Sequence, residues 1–268
     1  MTTLHHVAYG DGTPLLAIHG WTPDHRLMTG CLEPVFENRP GYRRLYPDLP
    51  GMGQSPTGDV SSSDDNLAAL LGLVDAEFGD QPFLLAGESY GGYLARGIVA
   101  ARAAQVLGLA LICPIGTELE NAKRDVPEHE VLITEPGLLD GLTPEEADDY
   151  TGIAVVQSTE TLRRYQAEIS PGLEVADLEA MQRIRKNWKL TSAIPESGPA
   201  FDRPTLILAG RQDSSTGFAE QFTLLPRYPR ASYVVLDRAG HNLQIEQPTL
   251  FGALVSEWLD RVQEHRGR

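Results

Sequence analysis

Ser89 stands between two glycines in the stretch Gly-Glu-Ser-Tyr-Gly-Gly, residues 87–92, directly after the apolar run 82–86. The apolar run predicts a buried strand, and the apolar spacing that follows predicts a helix. A serine at a sharp turn from strand to helix has its hydroxyl exposed, and the small residues Gly87 and Gly91 avoid a clash at the bend. The pattern therefore makes Ser89 a candidate nucleophile.

A serine hydroxyl is a weak nucleophile at neutral pH, so it needs a general base, and the base needs an orienting acid. Asp213 follows the apolar run 204–209, and His241 follows the run 233–236. The carboxyl ends of parallel strands lie at the same edge of a sheet, where ligand crevices form. We therefore expect Ser89, Asp213 and His241 to meet at that edge as nucleophile, orienting acid and base.

The elements that would position these residues alternate between strands and helices. Residues 4–9 and 14–18 predict two strands joined as a hairpin through the turn residues 10–12. Further strands are predicted at 42–49, 82–86, 107–112, 204–209 and 233–236, and helices at 23–37, from the N-cap residues 61–64, after Ser89 and near the C-terminus. This rhythm predicts an α/β fold with a mostly parallel sheet flanked by helices.

Residues 116–200, the inserted segment, interrupt this rhythm. Strand signals largely disappear, and helical pieces alternate with Pro-Gly pairs that we interpret as breaks. The helical pieces are 144–150 and 158–168, and the Pro-Gly pairs are Pro136-Gly137 and Pro171-Gly172. We predict a helical cap inserted into a core formed by residues 1–115 and 201–268.

Composition limits the functional classes. The chain has 268 residues, 41% of them hydrophobic, which is ample for a buried core, and a net charge of −15. That charge disfavours a nucleic-acid partner, because phosphate binding needs clustered Lys and Arg. No apolar stretch approaches the ~20 residues of a membrane span, and the N-terminus lacks a signal-peptide pattern. We expect a cytoplasmic monomer or small homo-oligomer without a membrane partner.

The two cysteines, Cys31 and Cys113, are far apart and have no metal-ligand spacing. A disulfide, a metal site and a cofactor are therefore not expected. In the inserted segment, 17 Asp and Glu face 8 Lys and Arg, which predicts an acidic, solvated surface. The cationic stretch 183–189 is the exception, since it would recruit a carboxylate if its helix lined the substrate pocket.

Five ordered motifs carry a resemblance to a known family. They are His19-Gly20-Trp21, Asp48 to Ser55, Gly87 to Gly92, Gly210 to Asp213, and Gly240-His241. With the chain order Ser, Asp, His, the sequence resembles an α/β-hydrolase fold protein with a cap domain. The resemblance implies an oxyanion hole made by the backbone N–H groups of Trp21 and Tyr90. Related dehalogenases and epoxide hydrolases have an aspartate at the nucleophile position, so Ser89 argues against both.

The leading hypothesis is a serine hydrolase, most simply a carboxylesterase that cleaves a small to medium ester of a small-molecule substrate. Carbon-carbon bond hydrolysis, a proline-iminopeptidase-like peptidase activity and a weakly catalytic ligand-binding protein are the alternatives. Among aromatic residues of the inserted segment, Tyr150, Tyr165 and Trp188 are candidate substrate-binding residues. Glu88 is expected to point away from the site.

Overall fold

The computed structural model describes residues 3–193, 195 and 197–267. The strands are β1 (His6–Tyr9), β2 (Thr13–Ile18), β3 (Tyr42–Pro47), β4 (Phe83–Glu88), β5 (Val106–Ile112), β6 (Ile133–Thr134), β7 (Val156–Gln157), β8 (Thr205–Gly210) and β9 (Ala231–Leu236). The helices are α1 (His25–Phe36), α2 (Ser63–Glu77), α3 (Ser89–Arg102), α4 (Pro144–Thr151), α5 (Thr159–Glu168), α6 (Ser170–Val175), α7 (Leu178–Lys186), α8 (Ala219–Phe222), α9 (Leu243–Glu246) and α10 (Pro248–Arg266). Single 3₁₀ turns lie at Asn121–Lys123 and Leu225–Arg227.

Seven strands form one sheet in the order β1-β3-β2-β4-β5-β8-β9. All pairs are parallel except β1 with β3. Successive residues of β2 point to opposite faces, so Leu16 packs with α2 and α3 while Leu15 packs with α1 and α10. The α/β class with helices on both faces of a mostly parallel sheet is confirmed. No helix in the described ranges is long and apolar enough to cross a membrane.

The predicted N-terminal hairpin is wrong, although both of its strands exist. Strand β1 pairs with β3, because the two edges of β2 are occupied by β3 and β4. The loop 10–12 reverses the chain direction but crosses the beginning of β3, so β1 and β2 lie on opposite sides of β3 and do not pair with each other. A Cβ atom at Gly12, whose φ is +112°, would lie 2.3 Å from the Gly41 carbonyl oxygen, so the crossing depends on glycine.

Between β5 and β8, helices α4 and α5 form where the sequence predicted helical pieces. Two differences appear. Strands β6 and β7 pair in parallel, a small sheet that the sequence did not indicate. Pro171-Gly172 marks the boundary between α5 and α6, as predicted, but it lies in the first turn of α6 and not in a loop. Proline fits the first turn of a helix, and a Cβ at Gly172 would lie 2.8 Å from Pro23 Cα, so this glycine permits close packing. The cap boundaries at 116 and 200 stay a prediction.

The inserted segment packs against the sheet domain through an apolar cluster and through buried charges. Tyr150 and Tyr165 belong to this cluster, which also contains Leu27 of α1 and Ile245 of α9. The carboxylate of Glu246 accepts hydrogen bonds from the backbone N–H groups of Val155 (2.8 Å), Val156 (3.3 Å) and Gly240 (2.6 Å). A single buried side chain thus joins β7 to the loop that precedes α9.

Helix α3 crosses β2 at very short distance, and this crossing places the end of β4 beside the end of β2. A Cβ atom at Gly91 would lie 2.3 Å from the Ile18 carbonyl oxygen and 2.4 Å from that of His19. These neighbours are backbone atoms of a central strand and its continuation. A side chain at position 91 therefore forces the helix and the strand apart.

We expect Gly91→Ala to lower the free energy of unfolding by about 1–3 kcal/mol, since added methyl groups in tight packing force backbone shifts. The melting temperature should fall by roughly 3–10 °C. The matched control is Gly252→Ala on α10, where a Cβ would meet only Val35 at 3.8 Å. This control should be neutral or stabilising, since alanine favours helices over glycine. Equal melting temperatures for both variants in calorimetry would contradict the close crossing.

Candidate active site

The turn from β4 into α3 holds Ser89 in a strained conformation with φ of +51°. Such a φ is costly for a residue with a side chain and persists only where the surrounding structure enforces it. A Cβ atom at Gly87 would lie 2.4 Å from the Gly91 carbonyl oxygen, so the turn closes tightly beneath the serine. As a result, the hydroxyl of Ser89 faces the carboxyl edge of the sheet at the N-terminus of α3.

The structure brings Ser89, Asp213 and His241 into contact at this edge. The Ser89 Oγ lies 3.0 Å from His241 Nε2, and His241 Nδ1 lies 2.9 Å from Asp213 Oδ2. Burial tends to lower the pKa of His241, but the charge and hydrogen bond of Asp213 and the charge of Glu88 outweigh it and raise the pKa to about 9. The imidazole is thus held between the hydroxyl and a carboxylate.

Asp213 is fully buried yet well supplied with donors. Its oxygens accept hydrogen bonds from the N–H groups of Ser215 (2.8 Å) and Thr216 (2.9 Å) and from the Thr216 hydroxyl (2.8 Å). Burial would raise the pKa of this carboxyl, but the charge of His241 and the hydrogen bonds lower it below the usual range. Asp213 therefore remains ionised and fixes the orientation of the imidazole ring.

Glu88 was expected to point away from the site, and this is wrong. Its side chain is 3% exposed, and its Oε1 lies 3.3 Å from His241 Nε2, the nitrogen that also contacts Ser89. A Cβ atom at Gly20 would lie 2.0 Å from Glu88 Oε2, so the carboxyl fills the space against the end of β2. Burial raises the pKa of Glu88 to about 7. The site contains two carboxyl groups, one near each imidazole nitrogen.

The loop after β2 lies against the nucleophile turn. A Cβ atom at Gly20 would be 3.2 Å from Ser89 Cβ, and the ring of Trp21 packs edge-on against that of Tyr90 at 5.1 Å. Fully buried His19 fixes this loop, since its Nδ1 donates to the Gly20 carbonyl (2.7 Å) and its Nε2 accepts from Leu49 N–H (2.9 Å). Burial lowers the pKa of His19, which keeps the ring neutral in this role.

The loop after β3 is held in turn by the buried carboxylate of Asp48. It accepts from the Nδ1 atoms of His5 (2.7 Å) and His25 (2.8 Å), and from the N–H groups of His25 (2.8 Å) and Gln54 (2.9 Å). Burial opposes ionisation, but these hydrogen bonds outweigh it and hold the pKa of Asp48 well below its usual range. In the sequence, the loop motif 48–55 draws attention to Asp48, but the motif does not reveal that His5 and His25 are its partners.

The three aromatic residues named from the sequence divide into two groups. Trp188 stacks on Tyr90 at 4.3 Å and meets Trp21 edge-on at 4.7 Å, which places it beside the nucleophile turn. Tyr150 and Tyr165 instead contact each other at 5.4 Å within the apolar cluster under α4 and α5. A substrate-binding role for either tyrosine stays a prediction.

A groove of about 940 Å³, here called the Trp188 groove, runs along the inserted segment next to this aromatic group. Its wall includes Leu119, Glu118, Trp188 and the cationic residues Arg185, Lys186 and Lys189. Arg185 lies near Arg124. Burial and the positive charge of Arg185 both lower the pKa of Arg124. The cationic stretch therefore faces a groove whose Trp188 wall stacks on Tyr90, the residue that follows Ser89.

Among the residues that the structure describes, two groups of side chains offer three potential metal-ligating atoms each: His5, His25 and Asp48, and Cys113, Asp213 and His241. In both groups the histidine nitrogens and the carboxylate oxygens are already paired with each other. The Cys113 thiol lies 3.6 Å from the Gly240 carbonyl oxygen as a weak donor. Burial raises the pKa of this thiol well above its usual value, which disfavours the thiolate that metal ions bind.

Sequence reasoning missed Glu88, Glu246 and the pairing of His5 with Asp48. The signal available for Glu88 was its position in the sequence, since it is a charged residue directly before the proposed nucleophile Ser89. For Glu246 and His5, the contacts cross 91 and 43 residues of sequence, and no local pattern marks them.

Comparisons with known proteins agree with this fold. Residues 15–254 match the model of the alpha/beta hydrolase family. A solved alpha/beta superfamily hydrolase from Oenococcus oeni PSU-1 superposes with a TM-score of 0.91 at 30% identity, covering 97% of each chain. The chain belongs to the alpha/beta hydrolase family, and it is a hydrolase.

Two curated relatives extend the comparison. The 2-hydroxymuconate semialdehyde hydrolase of Pseudomonas putida is 30% identical, with 93% of this chain and 88% of the relative covered. Lipase LipV of Mycobacterium tuberculosis is 27% identical, with 94% of this chain and 96% of the relative covered.

We expect neither Cys31 nor Cys113 to react with Ellman's reagent in the native protein, because both thiols are buried and burial raises the pKa of both. After unfolding in guanidinium chloride, both should react, as measured by absorbance of the released thiolate. Hydrolytic activity should survive treatment of the native enzyme. Fast modification of Cys113 in the native state, with loss of activity, would contradict this description of the site.

Proposed function

We propose that the protein is a serine hydrolase that cleaves a carboxylic ester through an acyl-enzyme on Ser89. The observation that carries the proposal is the hydrogen-bonded chain from Ser89 Oγ through His241 to Asp213, with contacts of 3.0 and 2.9 Å. A nucleophile, a base and an orienter at these distances have the geometry required for acyl transfer.

In the first step, His241 Nε2 takes the proton of Ser89 while Oγ attacks the ester carbonyl carbon. Asp213 accepts the Nδ1–H hydrogen bond and stabilises the imidazolium that forms. The imidazolium then gives the proton to the leaving alkoxide oxygen, the carbon-oxygen bond breaks, and an alcohol departs. The acyl group remains as an ester of Ser89.

The negative charge on the carbonyl oxygen needs donors during both steps. The backbone N–H groups of Trp21 and Tyr90 are proposed to supply them, supported by the packing of Gly20 against Ser89 and by the position of Tyr90 in the first turn of α3. In the second step, a water molecule gives its proton to His241 and attacks the acyl-enzyme. The acid is released and Ser89 regains its proton. The scheme uses groups of the chain alone.

Support for an ester comes from the relatives, since one of them is named a lipase. The neighbouring groove supports a small to medium substrate, with aromatic walls at Trp188 for an apolar part. The hydrogen-bonded Ser89, His241 and Asp213 favour turnover over a weakly catalytic binding protein. Nothing in the groove specifically favours a peptidase.

We expect a fluorophosphonate probe to form one adduct, on Ser89, because a hydroxyl paired with a base is far more reactive than a solvated serine. Ser89→Ala should abolish both labelling and turnover of a p-nitrophenyl ester. The control is Ser256→Ala on α10, which should label and turn over normally. Peptide mapping that places the adduct on another serine, or an active Ser89→Ala variant, would contradict the proposal.

A second candidate is hydrolysis of a substrate that carries a carboxylate, including carbon-carbon cleavage of the kind indicated by the name of the Pseudomonas putida relative. The supporting observation is Arg185, which lines the Trp188 groove and lies close enough to Arg124 for mutual repulsion. Together with Lys186 and Lys189 on the same wall, Arg185 would attract an anion, against the opposing charges of Asp64, Glu118 and Glu120, which also line the groove. These cations would work against the acidic character predicted for the surface of the inserted segment.

Two esters of equal length, one ending in a carboxylate and the other in a primary amide, separate these possibilities. If Arg185 recruits the carboxylate, Arg185→Gln should lower kcat/KM for the anionic ester by about tenfold at low salt, leave the neutral ester unchanged, and lose its effect at high salt. Arg183→Gln, an exposed cation of α7 outside the groove wall, is the matched control. A preference for the amide ester that neither variant alters would favour the acidic surface instead.

A further inference from the structure

His241 has a carboxyl group near each of its two ring nitrogens. Asp213 Oδ2 lies 2.9 Å from Nδ1, as the triad requires, while Glu88 Oε1 lies 3.3 Å from Nε2. Because Nε2 is also the atom 3.0 Å from Ser89 Oγ, Glu88 and Ser89 compete for the same lone pair or the same proton. The proposed mechanism above uses Asp213 and leaves Glu88 without a role.

The two carboxyls differ in the donors that surround them. Asp213 receives two backbone N–H groups and a hydroxyl in addition to His241. Within the described part of the chain, the backbone N–H of Gly20 is the main-chain donor that faces Glu88. A buried carboxylate with few donors favours its protonated form, whereas one with several donors stays ionised. The protonation state of this site is therefore decided at Glu88 and His241, not at Asp213.

We propose that Glu88 and His241 Nε2 share one proton, and that the loss of this proton to solvent releases the base for Ser89. This inference rests on the proposed function. While the proton is present, it lies either on Glu88, which then donates to Nε2, or on Nε2, which then donates to the Glu88 carboxylate. In both arrangements Nε2 has no free lone pair for the serine proton, so acylation does not start.

Once the shared proton has left, Glu88 is an anion beside a neutral imidazole. The proton that Nε2 then takes from Ser89 creates an imidazolium 3.3 Å from this anion, which stabilises it. Glu88 is accordingly a positioning residue that acts through His241. It sets the acidic limit of turnover and strengthens the base above that limit.

Other groups face the pair from the surrounding elements. They are Asp213 after β8, Arg124 of the inserted segment, Cys113 after β5, Cys31 of α1 and Glu246 of α9. The two thiols remain neutral because burial raises the pKa of each. All five groups are common to the variants compared below, so a difference between variants isolates Glu88.

The pKa values of Glu88 and His241 both lie above their ordinary values, and this decides the direction of the pH effect. Burial raises the pKa of Glu88 to about 7, and despite burial the two carboxylates raise the pKa of His241 to about 9. The acidic limb of kcat/KM should therefore lie above the ordinary histidine value of about 6.5. Removal of the Glu88 carboxylate lowers the basicity of His241 and moves the limb to lower pH.

The test measures kcat/KM for an uncharged ester between pH 5 and 10 in the wild type, Glu88→Gln and Glu88→Ala. We expect the limb to move down by at least about one pH unit in either variant, with a several-fold lower plateau because the base is weaker. Glu130→Gln, which removes one exposed carboxylate of the inserted segment, should leave the limb in place. Circular dichroism and melting temperature identify which variant is folded, and an unmoved limb in that variant overturns the inference.

A second measurement does not depend on activity. In Ser89→Ala, NMR titration of the ¹³C-labelled His241 ring should give a midpoint above about 6.5, and adding Glu88→Gln should lower it. An unchanged midpoint would defeat the shared proton even if Ser89 is the nucleophile. Failure of the fluorophosphonate to label Ser89 in the wild type would instead defeat the proposed function.

Discussion

A buried carboxylate must receive hydrogen bonds from the fold, and much of this active site is organised by that requirement. Asp48 gathers donors from three parts of the chain, and so fixes the loop after β3 relative to α1. Asp213 does the same for the loop after β8. Because an unpaired buried charge costs several kcal/mol, each of these loops has few alternative conformations. Rigid loops hold the reacting groups at fixed distances.

The sheet supplies the second condition, which is a common edge. Ser89, Asp213 and His241 are separated by up to 152 residues along the chain, yet they follow β4, β8 and β9, whose carboxyl ends lie at the same edge of the sheet, with β5 between β4 and β8. The strain at Ser89 is supported by the apolar clusters on the two faces and by the glycines at positions 87 and 91.

The sequence was most informative where one residue type suits one local geometry. Glycines at 87 and 91 predict a tight turn, and an apolar run before Asp213 predicts a strand that ends there. The sequence was least informative about which strands pair and which side chains contact each other. The pairing of β1 with β3 depends on which edges of β2 are free, and the position of the Glu88 side chain depends on His241, which is distant in sequence. The β6 and β7 strands are two residues each, too short for a periodic pattern.

Glu246 links the inserted segment to the histidine loop, since its carboxylate accepts from Val155 and Val156 on one side and from Gly240 on the other. Moving that part of the segment outward would leave the buried carboxylate with a single donor. The other end combines two kinds of contact. Asp64 binds Thr191 and Ser192 at exposed positions, where water replaces lost hydrogen bonds cheaply, whereas the buried N–H of Leu190 donates to the Tyr93 hydroxyl (2.8 Å). Displacement of the inserted segment, whether near Glu246 or near Leu190, would therefore break hydrogen bonds of buried groups, so both ends of the segment resist outward movement.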